Sequence, residues 1–76
     1  MLDFRIDTFL TVCKFMNFTK ASQFLNITQP AVSNHIRYLE EYYNVKLFYF
    51  LGKKMQLTKE GQILLEYATT LKHDDI

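Results

Sequence analysis

The stretch TQPAVSNHIRYLEEYYN, Thr28 to Asn44, constrains this chain most, because a helix start signal is followed by almost nothing that would break a helix. Thr28 is a good N-cap residue, and Pro30 falls in the first turn, where its missing N–H costs nothing and its fixed φ is already helical. The spacing predicts a helix from Gln29 to about Tyr43, with Asn44 standing in for glycine as a left-handed cap. At 100° per residue, Val32, Ile36, Leu39 and Tyr43 fall within a sector of about 60°. That sector must face a core, which leaves the opposite side for another task.

The elements around it can be read the same way. Asp3 is a plausible cap for a first helix carrying Ile6, Phe9, Leu10, Cys13 and Met16 at amphipathic spacing and ending near Met16 or Asn17. Thr19 is positioned to cap a short second helix with Ala21, Phe24 and Leu25 inward, and Asn26 and Ile27 make a tight connection to Thr28. Beyond Val45 and Lys46, two strand-like runs flank Leu51-Gly52-Lys53-Lys54, the pattern of a β-hairpin. Thr58 then caps a last helix running from Lys59 towards Lys72, with Leu64, Tyr67, Ala68 and Leu71 along one stripe and His73 to Ile76 expected to fray.

Helix, short helix, tight turn, longer helix and basic hairpin is the order of a winged helix-turn-helix, a mainly α fold with a small β-hairpin wing and a long C-terminal helix. Residues 1–58 form the expected domain, and residues 59–76 the linker helix. Seventy-six residues suit one small domain, whose core is marginal by size but enriched by seven Phe and five Tyr.

Composition narrows the function. One cysteine, Cys13, allows no internal disulfide, and its place on an apolar helical stripe makes it a small buried hydrophobe in a reducing, cytoplasmic setting. No apolar run approaches a membrane span, and charged Asp3, Arg5 and Asp7 argue against a signal peptide. Only two histidines occur, with no metal-ligand spacing and no Gly-rich phosphate loop, so no enzyme, metal or cofactor is expected. His35 reads as a flank residue of the third helix, and the adjacent acids Glu40 and Glu41 as solvated charge.

The net charge of +1 is unevenly spread. Lys14 to Lys59 holds seven basic residues against two acids, a local +5, while the two ends together carry −4. A basic middle favours a polyanion, although scattered solvated charge would give the same tally. On the third helix, Gln29, Ser33 and Arg37 cluster about a quarter to a third of a turn from the core stripe, with Pro30 and Asn34 extending that side. Gln and Asn can bond adenine edges, Arg guanine O6 and N7, and Ser a base or phosphate. The helix N-terminus at Thr28 also favours a phosphate. An ordinary solvated helix face is the alternative. Lys53 and Lys54 after Gly52 shift the balance, since they bring two cations to the wing tip, where an adjacent minor groove or backbone would lie.

These motifs resemble the N-terminal DNA-binding domain of the LysR-type transcriptional regulators. FTKASQFL is similar to the family's second helix, TQPAVSNHIRYLEE to its recognition helix, and VKLF and LTKEG to the segments flanking its wing. The resemblance implies sequence-specific binding of double-stranded DNA by a winged helix-turn-helix. It also implies Thr28, Gln29, Pro30, Ser33 and Asn34 at the major groove, Lys53 at the wing, and a linker helix through which two subunits pair on a dyad-related operator. It implies a large ligand-sensing domain too, to which nothing here corresponds, so the chain reads as an N-terminal piece whose effector would bind elsewhere. Ser22, Asn34, Asn44 and Phe50 depart from the usual Ala, Arg, Gly and Arg. Asn34 moves base preference towards adenine, and Phe50 removes a phosphate contact.

Pairing has a reading of its own, because a helix projecting past a small domain would bury Leu64, Tyr67, Ala68 and Leu71 against a second copy. Folding back on the first helix is the alternative. The rival function is a winged-helix protein-interaction module that uses the aromatic wing, Phe48, Tyr49 and Phe50.

Overall fold

The computed structural model describes residues 3–74, with side chains as far as Thr70. The order is α1 (Phe4–Phe15), α2 (Phe18–Leu25), α3 (Gln29–Tyr43), β1 (Phe48–Leu51), β2 (Lys54–Leu57) and α4 (Lys59–Asp74). This is the mainly α, winged helix-turn-helix order expected from the sequence. The last helix continues through His73 and Asp74, while Asp75 and Ile76 lie outside the described residues.

Caps set most boundaries. Asp3 accepts the Arg5 N–H at 2.8 Å, Thr28 Oγ1 accepts the Ala31 N–H at 3.2 Å, and Thr58 Oγ1 accepts the Gly61 N–H at 2.9 Å. The cap of α2 is Asn17, which accepts the Lys20 N–H at 2.8 Å, and Thr19 lies inside the helix. The inward face also differs from the expected one. Ala21 and Ser22 are buried and Leu25 is half-buried, whereas Phe24 is exposed and lies against Phe15 at 5.5 Å between ring centroids. Buried Ser22 satisfies its hydroxyl on the Thr19 carbonyl at 2.7 Å.

Met16, Asn26 and Asn44 end their helices in left-handed conformation. Asn tolerates this well, and around Asn44 the Val45 N–H reaches back to the Glu40 carbonyl at 3.0 Å.

The core gathers Ile6, Phe9 and Val12 of α1, Ala21 of α2, Val32, Ile36 and Leu39 of α3, Leu47, and Leu64 and Ala68 of α4. Tyr43 packs partly buried at its edge. The hairpin pairs Phe48 with Leu57 and Leu51 with Lys54, so its turn is only Gly52-Lys53, with Gly52 at φ +59°. Phe48 seats the wing by packing on Phe9 and Phe18, at 5.6 and 6.2 Å.

The last helix carries one correction. Leu64 and Ala68 are 7% and 1% exposed, buried in this chain's own core, whereas Ile63 and Tyr67 are 58% and 54% exposed. α4 packs on α1, so two residues of the stripe assigned to pairing are already covered without a second copy. The Leu71 side chain lies outside the described residues.

Gly61 admits the close approach of Leu47 and Leu57 to the start of α4. A Cβ there would collide with the Leu47 carbonyl oxygen and stand 2.6 Å from Leu57 Cδ1. Alanine normally favours a helix by about 1 kcal/mol over glycine. Here Gly61→Ala is expected to lower stability by about 1–3 kcal/mol through overpacking, measured as a lower urea midpoint.

Candidate nucleic-acid interface

The circumference of α3 divides into three strips. Val32, Ile36 and Leu39 face the core. Gln29, Pro30, Asn34 and Arg37 are exposed on one side with Ser33 half-buried among them, and Tyr38 and Tyr42 stack on the other, 6.4 Å between ring centroids. No acid occurs before Glu40, so the polar strip carries only neutral dipoles and Arg37 along its first two turns.

Three side chains of that strip are held by hydrogen bonds. Thr19 Oγ1 donates to Gln29 Oε1 at 3.2 Å, which ties the first residue of α3 to α2. The Gln29 oxygen keeps a second lone pair and its amide both N–H donors, enough for a bidentate contact to adenine. Arg37 Nη1 donates to Asn34 Oδ1 at 3.1 Å, one turn apart. Thr19 therefore bears on the strip through Gln29, a contact that its expected capping role concealed.

A groove of about 360 Å³ joins this strip to the wing, lined by Ser33, Ile36, Arg37 and Glu40 of α3 together with Phe18, Lys46, Phe48 and Phe50. The strip and the base of the hairpin thus share one side of the molecule. Lys53 sits in the turn and Lys54 opens β2 opposite Leu51, both exposed. Lys46 lines the same groove as Arg37, a cation that sequence spacing did not single out because it lies in the connection between elements.

Opposite the polar strip, His35 fastens α3 to α1. Its Nδ1 lies 2.9 Å from Thr8 Oγ1, a buried hydroxyl that also donates to the Phe4 carbonyl at 3.2 Å, and the Phe4 ring meets the imidazole edge-on at 5.0 Å. The Arg5 guanidinium sits 3.8 Å from the Tyr38 ring centroid while pairing with Asp3 at 3.2 Å. Cys13 is half-buried against the core rather than fully buried, and burial pushes its thiol up to about 12, so it stays protonated at neutral pH. Among the described residues, no group of three or more His, Cys, Asp or Glu is placed to hold a metal ion, and no helix is long and apolar enough to cross a membrane.

A short helix, a tight turn, a longer helix whose polar strip has no acid before Glu40, and a hairpin whose base shares a groove with that strip define a winged helix-turn-helix domain. The chain belongs to the lysR family of bacterial regulatory helix-turn-helix proteins, whose family profile matches residues 5–62. It is 42% identical over 74 residues to the HTH-type transcriptional regulator CitR of Bacillus subtilis, covering 96% of this chain and 25% of that protein. The chain therefore spans about a quarter of the length of that curated relative. Among solved structures, a LysR-family regulator from Eggerthella lenta matches with TM-score 0.87 and 56% identity over 91% of this chain and 99% of that one. The BenM DBD in complex with catB site 1 DNA matches with TM-score 0.88 and 31% identity, over 97% and 83%.

The seat of His35 gives α3 a pH response. Burial first, then the positive charge of Arg5, outweigh the opposing pull of Asp3 and hold His35 below its ordinary 6.5. The unfolded chain then takes up this proton more readily than the folded one, so the contribution is complete above pH 6.5 and is lost as pH falls below it. Urea midpoints at pH 7.5 and 5.5 should show the drop, and His35→Gln should make it smaller.

Proposed function

We propose that this chain is the sequence-reading DNA-binding module of a bacterial transcriptional regulator, working in the cytoplasm and without catalytic activity of its own. α3 lies in the major groove, with Thr28, Gln29, Pro30, Ser33, Asn34 and Arg37 towards base edges and phosphates. Gly52 to Lys54 meets the adjacent minor groove or backbone. The observation that carries this reading is the groove joining the polar strip of α3 to the wing, on a backbone that matches a DNA-bound relative across 97% of the chain. A polyanion approaching that side meets Arg37, Lys46, Lys53 and Lys54, while Gln29 and Asn34 supply base-specific hydrogen bonds.

The module acts as a homodimer on an operator with dyad symmetry. With Leu64 and Ala68 inside the fold, the surface open to a second copy is the exposed side of α4 at Ile63 and Tyr67. Beside it runs an apolar groove of about 300 Å³ against Tyr43, Val45 and Leu47. Any small-molecule effector acts through a domain outside these residues.

The exposed apolar wing, Tyr49, Phe50 and Leu51, favours a second reading, docking of another protein. Salt separates the two, because phosphate contacts weaken steeply as salt rises and apolar contacts do not. Fluorescence anisotropy with promoter-like duplex at two ionic strengths is expected to show strong, salt-sensitive binding. Undetectable binding at low salt would sink the DNA reading.

Residue roles differ in kind. Gln29→Ala or Asn34→Ala is expected to cost about 1–3 kcal/mol on the preferred sequence and to relax base preference. Lys53→Ala should weaken all sequences alike and flatten the salt dependence. Equal losses on specific and random duplex for all three would overturn the assignment. For pairing, Tyr67→Glu should shift the sedimentation of the chain towards monomer, whereas a monomeric parent chain at high concentration would refute the dimer.

A further inference from the structure

Glu40 is the one acid of α3 on the groove that leads from Arg37 to Phe50, where a solvated carboxylate would repel a phosphate backbone. Here the carboxylate is half-buried and one of its oxygens is engaged by the backbone. Oε2 accepts the Leu47 N–H at 2.9 Å, across seven residues, while the Glu40 carbonyl accepts the Val45 N–H at 3.0 Å. The same short connection is gripped from its far side by Thr58, which donates its N–H to the Leu47 carbonyl at 3.0 Å and its hydroxyl to the Lys46 carbonyl at 2.6 Å. Leu47 is fully buried between these two grips, and β1 begins at the next residue, Phe48.

The hairpin therefore leaves the domain from a point fixed on one side by the recognition helix and on the other by the cap of α4. Leverage makes that point matter. β1 is four residues long. At ~3.3 Å per residue, a tilt of about 10° at its base moves the tip by about 2 Å, more than a hydrogen bond to a phosphate tolerates.

We propose that Glu40 is a positioning residue for DNA recognition, a role that rests on the DNA-binding reading above: its carboxylate holds the Leu47 amide and so sets the height at which Lys53 meets the DNA backbone while α3 occupies the groove. Glu40 touches no DNA itself. The geometry of its hydrogen bond, rather than its charge, is what the wing needs.

Two substitutions separate these properties. Glu40→Gln keeps an acceptor oxygen at the same reach and loses the charge, whereas Glu40→Asp keeps the charge and falls one methylene short. In the free chain, Glu40→Asp is expected to speed amide exchange at Leu47 and along the hairpin by about tenfold, with Glu40→Gln within about twofold of the parent. On the preferred duplex, Glu40→Asp should weaken binding by about tenfold and Glu40→Gln by about twofold or less. The loss caused by Lys53→Ala should shrink in the Glu40→Asp background, because the wing is already out of register, a coupling that general destabilisation would not produce. Unchanged exchange in Glu40→Asp, equal DNA losses for the two variants, or an undiminished Lys53→Ala effect would each overturn the role. A parent chain that does not bind DNA overturns the reading above and this role with it, whereas a parent that binds no better than Glu40→Asp overturns this role alone.

Discussion

The packing of Val32, Ile36 and Leu39 against α1 and α2 is the contact on which the rest depends, because it fixes the rotation of α3 about its own axis. A helix has only one free angle once its core stripe is seated. With those three residues inside, Gln29, Ser33 and Arg37 are carried to one flank and His35, Tyr38 and Tyr42 to the other. Neither flank could be changed by a loop rearrangement without unpacking the core. The polar strip is thus presented on a rigid element, and its side chains need only small adjustments to meet a partner.

Secondary contacts refine that rotation from several sides. Thr19 holds Gln29 from α2, Thr8 holds His35 from α1, and Glu40 holds the connection that leads to the wing. Each is a polar side chain joining two different elements. Hydrogen bonds of this kind contribute little net stability, about 1 kcal/mol each, but are costly to leave half-made in a buried setting. They define one arrangement of helices and wing among the several that a small apolar core of similar volume would accept.

The sequence conveyed the elements with few errors, and the errors share a cause. α3, its two caps and the hairpin were legible because Thr28, Pro30, Asn44 and Gly52 act through their own backbone chemistry. Thr19 was misread as a cap because Thr and Asn17 both suit that position, and only the start of the turn at Phe18 decides between them. Phe24, expected inward, lies at the surface because packing turns the Ala21 and Ser22 side of α2 to the core, a choice that spacing alone does not make. Glu40 looked like solvated charge because its partner, Leu47, is an amide seven residues away that no periodicity reveals.

By itself, the sequence determined the order of elements, their ends, and the division of α3 into apolar and polar strips, since these follow from local backbone preference and from a period of 3.6 residues. It also carried the family, through motifs between Phe18 and Gly61 that lie inside the matched residues 5–62. Only the tertiary structure decided which apolar stripes are covered within the chain. Leu64 and Ala68 fit α4 to the core while Ile63 and Tyr67 remain outside, and the absent side chain of Gly61 lets Leu47 and Leu57 approach the start of that helix. An amphipathic pattern says that a face must be buried. What buries it depends on the direction in which the helix leaves its cap, and that direction is set by Thr58, Leu47 and Glu40 together.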